Sequence, residues 1–172
     1  TNLWQPRPDM PTSRHLLAVA VDGQRIFAIG GTDGYTYLSA VEVYDATTNA
    51  WTSRASMPTP RSGLGAVRAS NGKIYVVGGR NHTGDYLGTV EEYDPATNTW
   101  RTRASIPTPR WGASLVAIGD RVLAIGGYVA GDVPSAAVEE YDPATDRWVT
   151  QTSMPTARTF LGAAATGDTV YA

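Results

Sequence analysis

A five-residue segment that ends in arginine occurs four times in this chain of 172 residues. It reads Met-Pro-Thr-Pro-Arg in the second copy, and each of the other copies differs from that wording at one position. The four arginines are separated by 47, 49 and 48 residues. A period of about 20–50 residues is typical of solenoids, propellers and other arrays, so this spacing constrains the fold more than any single residue does. The copies occupy residues 10–14, 57–61, 106–110 and 154–158.

One period predicts four short strands and no helix. In the second period, Asn71-Gly72 is a two-residue hairpin signal that separates the first two strands. The cluster 94–98, Asp-Pro-Ala-Thr-Asn, predicts a turn before the fourth strand. Units of four antiparallel strands cannot stack as a helical solenoid, so they indicate the blades of a β-propeller. The predicted strands of this period are 62–69, 73–77, 90–93 and 99–103.

The neighbouring periods carry the same landmarks in register: a glycine pair after the second strand, a tyrosine in the third and a tryptophan in the fourth. The glycine pairs, the Tyr-Asp-Pro-x-Thr-Asn-x-Trp stretch and the Met-Pro-x-x-Arg turn together resemble Kelch repeats. The resemblance covers essentially the whole chain, in three full copies and two partial ones. It implies an all-β fold, a Kelch-type β-propeller of four-stranded antiparallel blades. The landmarks are Gly30-Gly31, Gly78-Gly79 and Gly126-Gly127; Tyr44, Tyr93 and Tyr141; Trp51, Trp100 and Trp148.

The repeat boundaries predict one partial propeller over residues 1–172, an incomplete ring of about 3.5 blades. Thr1-Asn2-Leu3-Trp4 aligns with Thr48-Asn49-Ala50-Trp51, which predicts an outermost strand of a preceding blade. Val170-Tyr171-Ala172 aligns with Ile26-Phe27-Ala28, which places the chain end in a second strand. The predicted units are 1–9 for that outermost strand, 10–56 for blade 1, 57–105 for blade 2, 106–153 for blade 3 and 154–172 for the first half of blade 4.

The two ends leave three alternatives for the ring, because Kelch-like propellers usually have about six or seven blades. The chain is a piece of a longer ring, or two chains join half-rings into one propeller, or the N-terminal strand closes a small four-bladed ring. Open blade faces and unpaired strand edges are adhesive. We therefore expect these edges to bind either the remaining blades or a second copy, as a homodimer.

Residues that recur in every copy are expected to serve the fold. The repeated arginines are predicted to bond turn carbonyls or a third-strand glutamate, and the tyrosines and tryptophans to pack between blades. The glycine pairs are explained by backbone geometry or by tight packing under the tyrosine or tryptophan ring. The arginines are Arg14, Arg61, Arg110 and Arg158, and the glutamates are Glu42, Glu91 and Glu139.

The composition excludes several classes of function. Charged residues make up 17% of the chain and the net charge is −2, so there is no electrostatic footprint for nucleic acid or for an anionic membrane. No apolar run approaches the roughly 18 residues of a membrane-spanning helix, and no signal peptide is visible. The absence of cysteine excludes disulfides and thiolate chemistry. We expect no nucleic-acid or membrane partner, and none of these features indicates a compartment.

Residues that differ between copies are candidates for function. The long loops that join strands two and three, 32–38, 80–86 and 128–134, are predicted to lie on the same face as the proline turns, and they are rich in tyrosine and charge. This mixture is typical of recognition surfaces. The alternatives are that the loops are solvated connections and that Trp111 is a wedge between blades. The candidate binding residues are Tyr35, Tyr37, Arg80, His82, Asp85, Tyr86, Trp111, Tyr128 and Asp132.

Some Kelch-like propellers are enzymes, and the residues that two such kinds require are missing from this sequence. A copper-radical oxidase of the galactose oxidase type needs cysteine and several histidines, whereas this chain has no cysteine and only His15 and His82. A sialate epimerase or mutarotase needs acid–base residues in the channel, and the innermost strands, including 160–165, carry no carboxylate. The prediction is a non-catalytic binding or scaffolding module for a protein, peptide or glycan, without cofactor or metal. The alternative is the propeller portion of a larger carbohydrate-active enzyme.

Overall fold

The computed structural model describes residues 3–172, and this part of the chain consists of β-strands, turns and loops without a helix. It therefore has no helix of the length and apolarity needed to span a membrane. The sixteen strands are β1 (Ala18–Asp22), β2 (Arg25–Ile29), β3 (Val41–Asp45), β4 (Ala50–Ser53), β5 (Gly65–Arg68), β6 (Ile74–Val77), β7 (Val90–Asp94), β8 (Thr99–Arg103), β9 (Ser114–Ile118), β10 (Arg121–Ile125), β11 (Tyr128–Val129), β12 (Val133–Pro134), β13 (Val138–Asp142), β14 (Arg147–Gln151), β15 (Ala164–Thr166) and β16 (Thr169–Tyr171).

The strands of the described residues form three antiparallel four-stranded sheets and two two-stranded sheets. Blade 1 is β1–β4, blade 2 is β5–β8, and blade 3 has the order β9-β10-β13-β14. The hairpin β15–β16 forms a two-stranded sheet of its own, which we call the half-blade. Each sheet lies within one of the predicted repeat ranges. The predicted all-β fold of four-stranded antiparallel blades is confirmed, and the blades in residues 3–172 do not close into a ring.

The innermost strands begin later than the sequence predicts. The first strand of blade 2 was expected from residue 62, and β5 begins at Gly65. The reason is that Gly63 has a left-handed backbone with φ of 58°, which interrupts an extended strand. Phe160 is left-handed as well, with φ of 48°, and for this reason β15 begins only at Ala164.

Two other segments depart from expectation. The loop 128–134 was predicted without strands and contains the short hairpin β11–β12. The outermost strand predicted for residues 1–9 is not formed by residues 3–9, because the described residues include no third strand of a preceding blade with which it could pair. Thr1 and Asn2 of that prediction lie outside the described residues.

A ladder of backbone hydrogen bonds joins the inner edges of the blades. Its members are four equivalent left-handed residues, and each of the last three donates its N–H to the carbonyl oxygen of its counterpart in the preceding blade. The N···O distances are 2.7, 2.8 and 2.8 Å along the series. This inner ladder sets the position of each blade relative to the one before it. The members are Leu16, Gly63, Gly112 and Phe160.

The glycine pairs make a second inter-blade contact. The second glycine of each pair donates its N–H to the carbonyl of the repeated arginine in the next blade, over 2.9, 2.9 and 2.8 Å. A Cβ added to the first glycine would lie only 2.8, 2.5 and 2.4 Å from that same carbonyl oxygen in blades 1, 2 and 3. Positive φ at both glycines, which is the predicted backbone geometry, and the close approach of the next blade's backbone, which the sequence did not predict, together explain the pairs.

A third contact, the outer latch, ties each fourth strand to the preceding blade. The Trp100 indole donates to the carbonyl of Ala55 over 2.9 Å, and the Ala55 N–H donates to Oδ1 of Asn98 over 2.9 Å. Trp148 and Asp146 hold both backbone groups of Ala104 in the same way, over 2.8 and 2.9 Å. In blade 1, the indole of Trp51 donates to the carbonyl of Pro8.

The core lies between successive blades. Phe27 of blade 1 meets Tyr93 of blade 2 edge to face, with ring centroids 6.0 Å apart, and Tyr75 of blade 2 meets Tyr141 of blade 3 at 5.7 Å. Because each sheet packs face to face on the next, its own two faces are both largely apolar.

The side chains of three of the four repeated arginines, Arg14, Arg61 and Arg110, are buried in this core with the glutamates that the sequence predicted. The Nη2 atoms of Arg14 and Arg61 lie 2.8 Å from the carboxylates of Glu42 and Glu91, and Arg110 pairs with Glu139. Arg61 also donates to the carbonyls of Gly78 and Thr89, over 3.1 and 2.8 Å. Burial lowers the pKa of Arg61 to about 10, and Glu91 partly offsets that effect.

Candidate functional site

The long loops of blades 2 and 3 border a groove on the loop face. Arg80, Asp85 and Tyr86 line it from blade 2, and residues 129–132 line it from blade 3. Thr108 and Pro109 of the proline turn between these blades complete the lining. The groove therefore combines a cation, carboxylates and apolar surface, all on loops that the blades hold in place.

An aromatic stack forms the wall beside this groove. The rings of Tyr86 and Trp111 are nearly parallel, at 13° with centroids 6.2 Å apart, and Tyr128 stacks on Trp111 at 26° and 5.8 Å. Phe160 meets Trp111 edge to face at 4.7 Å. These residues come from blade 2, blade 3 and the segment before the half-blade, so the stack ties three repeats together.

Trp111 is packed into this wall. A Cβ placed on Gly63 would lie 1.8 Å from Nε1 of Trp111, which shows that the indole rests directly on that glycine. The indole N–H is buried and has no hydrogen-bond acceptor among the described residues. Tyr86 and Tyr128 stack on the same ring, so Trp111 lies among residues of blades 2 and 3.

Arg80 is the cation of the groove. Its guanidinium carbon lies 5.8 Å from the ring centroids of both Tyr86 and Trp111, within the range of a cation–π interaction. Its Nε donates to the carbonyl of Gly84 over 2.9 Å. No carboxylate in residues 3–172 forms an ion pair with Arg80. The remaining guanidinium N–H groups are therefore available to a ligand.

The carboxylates of the two loops are already engaged within the protein. The Tyr86 hydroxyl donates to Asp132, and this bond raises the pKa of Tyr86. The Thr83 hydroxyl donates to Asp85, and this bond, followed by one from Asn81, lowers the pKa of Asp85. The Tyr86–Asp132 bond joins the loops of blades 2 and 3 across the groove.

The predicted binding residues fall into two groups. Arg80, Asp85, Tyr86, Trp111, Tyr128 and Asp132 come together in the groove and its wall. Tyr35 and Tyr37 lie on the loop of blade 1, where Tyr35 is 96% exposed, and His82 is exposed at the tip of the blade 2 loop. No group of three or more metal-ligating side chains occurs in the described part of the chain.

Sequence reasoning missed Phe160. It was placed in an innermost strand, whereas it lies in the inner ladder with its ring against Trp111 and Tyr128. The signal was present in the repeat: its equivalents in blades 2 and 3 are Gly63 and Gly112, so a large aromatic side chain stands where two copies have none.

The fold and the loop-face groove define a class, the repeat-built β-propeller, which serves as a binding or scaffolding module. The family model of the KLHDC2/KLHL20/DRC7 Kelch-repeats domain matches the chain twice, over residues 2–127 and 53–172. The chain therefore belongs to the Kelch-repeat family, which confirms the resemblance seen in the sequence.

Individual relatives cover different shares of the chain. Beta-scruin of Limulus polyphemus is 43% identical over 77 residues, which is 44% of this chain and 8% of that protein. A Kelch domain-containing protein of Sulfurisphaera tokodaii is 34% identical over 139 residues, or 80% of this chain and 20% of its own length. The solved structure of YjhT superimposes with a TM-score of 0.81 at 19% identity, over 95% of this chain and 58% of that one, and it supports the fold alone. The chain thus spans only a part of each of these proteins.

Proposed function

We propose that this chain binds a segment of a protein partner in the groove between the loops of blades 2 and 3, and that Arg80 receives a carboxylate of that partner. One observation carries the proposal. Arg80 is positioned at the groove without a carboxylate partner, whereas Arg14, Arg61 and Arg110 are each paired with a glutamate. A guanidinium that is held in place and still has free N–H groups suits bidentate binding of a carboxylate.

The aromatic wall favours a protein segment over a glycan. A sugar ring stacks on an open aromatic face, whereas the ring of Trp111 is already in contact with Tyr86, Tyr128 and Phe160. The groove instead offers Pro109, Val129 and other apolar groups beside the cation. A peptide can supply a carboxylate and apolar side chains together, which matches that lining.

The test is selection of peptides from a random library displayed on phage, with the chain immobilised. We expect the enriched peptides to contain aspartate or glutamate. Arg80→Gln should weaken their binding about thirtyfold, since losing a charged anchor at an interface costs roughly 2 kcal/mol. Arg101→Gln is the charge-matched control, because Arg101 is exposed on the outermost strand of blade 2, and it should leave binding unchanged.

Two results would refute the proposal. One is a selection that enriches peptides without acidic residues, or that enriches no peptide above background. The other is equal binding to the native chain and to the Arg80→Gln variant. Trp111→Ala is not a useful contact test, since that change removes the wall. Tyr35→Ala separates the two groups of candidates, because a loss of binding in that variant would place the site on the loop of blade 1.

A further inference from the structure

A hydrogen bond between two loops spans the groove of blades 2 and 3. The Tyr86 hydroxyl donates to Asp132, and both residues line the groove. The groove encloses a cavity of about 680 Å³ while this bond is formed. That volume is typical of ligand sites, so a ligand can enter without breaking the bond. We call this bond the clasp.

The short hairpin β11–β12 brings Asp132 to the clasp. Its strands pair over residues 128–129 and 133–134, which gives the turn 130–132 a fixed base. Asp132 has φ of 58°. Aspartate, asparagine and glycine tolerate this left-handed conformation better than other residues do. The backbone of the turn therefore favours a residue type that can accept a hydrogen bond from Tyr86.

The clasp holds the ring on which Arg80 rests. The Tyr86 ring lies nearly parallel to the ring of Trp111, at 13°. The guanidinium carbon of Arg80 lies 5.8 Å from the centroids of both rings. A cation–π contact depends on which face the ring presents, and a bond from the hydroxyl restricts rotation of the ring. Asp132 therefore acts on Arg80 through Tyr86.

Blade 1 has an equivalent tyrosine without a clasp. Tyr37 pairs with Thr32 in the same kind of bridge by which Tyr86 pairs with Arg80. Blade 1 thus has threonine where blade 2 has the cation, and the clasp occurs at the loop that carries the cation. In residues 3–172 the tyrosine hydroxyls that form hydrogen bonds are those of Tyr44, Tyr75, Tyr86, Tyr93 and Tyr141.

We propose that Tyr86 and Asp132 are positioning residues for Arg80: their bond couples the two loops and keeps the guanidinium in the orientation in which it receives a carboxylate. A ligand then meets a cation that is already ordered, so less conformational freedom is lost on binding. The effect on binding rests on the proposed function, whereas the coupling of the loops is a property of the free chain.

The first test uses the free chain and measures hydrogen exchange by NMR. It follows the amides of residues 130–132 and the Nε–H of Arg80, which donates to the carbonyl of Gly84. Tyr86→Phe keeps the ring and removes the hydroxyl. It should speed exchange at both places about fivefold, the size expected for one hydrogen bond. Tyr37→Phe is the matched control and should leave both rates unchanged.

Asp132 provides a conservative rescue. Asp132→Asn keeps an oxygen acceptor and tolerates the left-handed backbone, so the Arg80 Nε–H should exchange as in the native chain. Asp132→Gly also fits that backbone but removes the acceptor, and it should match Tyr86→Phe. Tyr86→Phe combined with Asp132→Gly should lie within about twofold of either change alone. The bond itself is checked by the pKa of Tyr86, which Asp132 raises and which should fall in Asp132→Gly.

The second test measures binding of an acidic peptide from the phage selection. Tyr86→Phe should weaken binding about fivefold, again the size expected for one hydrogen bond. Asp132→Asn should bind at least as well as the native chain, because the acceptor is kept and a negative charge leaves the groove. Tyr37→Phe should bind as the native chain does.

Three results of the exchange measurements would overturn the proposal. They are native rates in Tyr86→Phe, an equal change in Tyr37→Phe, and an Asp132→Asn variant that behaves like Asp132→Gly. Equal peptide binding by the native chain and Tyr86→Phe would refute the positioning role and leave the proposed function standing. If no acidic peptide is enriched, the proposed function fails, and the exchange rates alone decide whether the clasp couples the loops.

Discussion

Replacement of Arg61 by glutamine is expected to destabilise the protein far more than the same change at Arg158. The two residues occupy the same position in their repeats, but Arg61 is fully buried and Arg158 is exposed. The comparison therefore holds sequence context nearly constant and varies the environment of the guanidinium.

The size of the effect follows from the contacts of Arg61. Its loss leaves the carboxylate of Glu91, whose side chain is 2% exposed, without a cation, and only the Thr59 hydroxyl still donates to it. Breaking a buried ion pair from one side costs about 3–5 kcal/mol. The carbonyls of Gly78 and Thr89 lose donors as well. We expect a loss of about 4 kcal/mol, a large part of the roughly 5–15 kcal/mol that stabilises a domain. Arg158→Gln should change stability by less than about 0.5 kcal/mol.

Urea denaturation, followed by both tryptophan fluorescence and far-ultraviolet circular dichroism, measures the difference. Two probes are needed because repeat proteins can unfold in parts. The reasoning would be refuted if the free energies of unfolding of the two variants differed by less than about 1 kcal/mol. Burial of the Arg–Glu pair would then not determine how much it contributes to stability.

Two further predictions concern the turns. Gly78→Ala should lower the free energy of unfolding by about 2 kcal/mol more than Gly72→Ala in urea titrations. Both glycines have positive φ, but a Cβ on Gly78 would lie 2.5 Å from the Arg110 carbonyl, whereas the nearest atom to one on Gly72 is 3.8 Å away; equal losses would contradict this account. The Tyr141 hydroxyl, and after it the Ala104 N–H, hold the pKa of Asp146 below its usual value. The stability that this charge contributes is present above about pH 4 and is lost as the pH falls through the folded-state pKa. Asp146→Asn places the same residue there as Asn98 in blade 2. This variant should lose less stability than the native chain between about pH 4 and pH 2. An unchanged acid profile would argue against it.

The blades could be predicted because their signals are local and repeated. Asn71-Gly72 specifies a hairpin, and the glycine pair with tyrosine and tryptophan in register specifies four strands. The pairing of the repeated arginines with Glu42, Glu91 and Glu139 could also be predicted, because residues that recur at the same spacing share the same surroundings.

The wall of the groove could not be predicted in the same way. Trp111 is half-buried among Tyr86, Tyr128 and Phe160, which are distant in sequence and come together only through the packing of successive blades. The late start of β5 and β15 depends on the inner ladder, and that ladder places Leu16 and Phe160 in a left-handed conformation that neither side chain favours by itself. Inter-blade hydrogen bonds, rather than local preference, decide both features.

The outer latch has a consequence for how such proteins can grow. In each latch the receiving blade contributes only backbone groups, those of Ala55 or Ala104, while the incoming blade contributes the specific side chains. A repeat therefore carries with it the side chains of its own latch, whichever residue stands at the receiving position. Gene duplication can add a blade at that side without a matching change at the latch, whereas the core between blades, where Phe27 meets Tyr93, still requires complementary side chains.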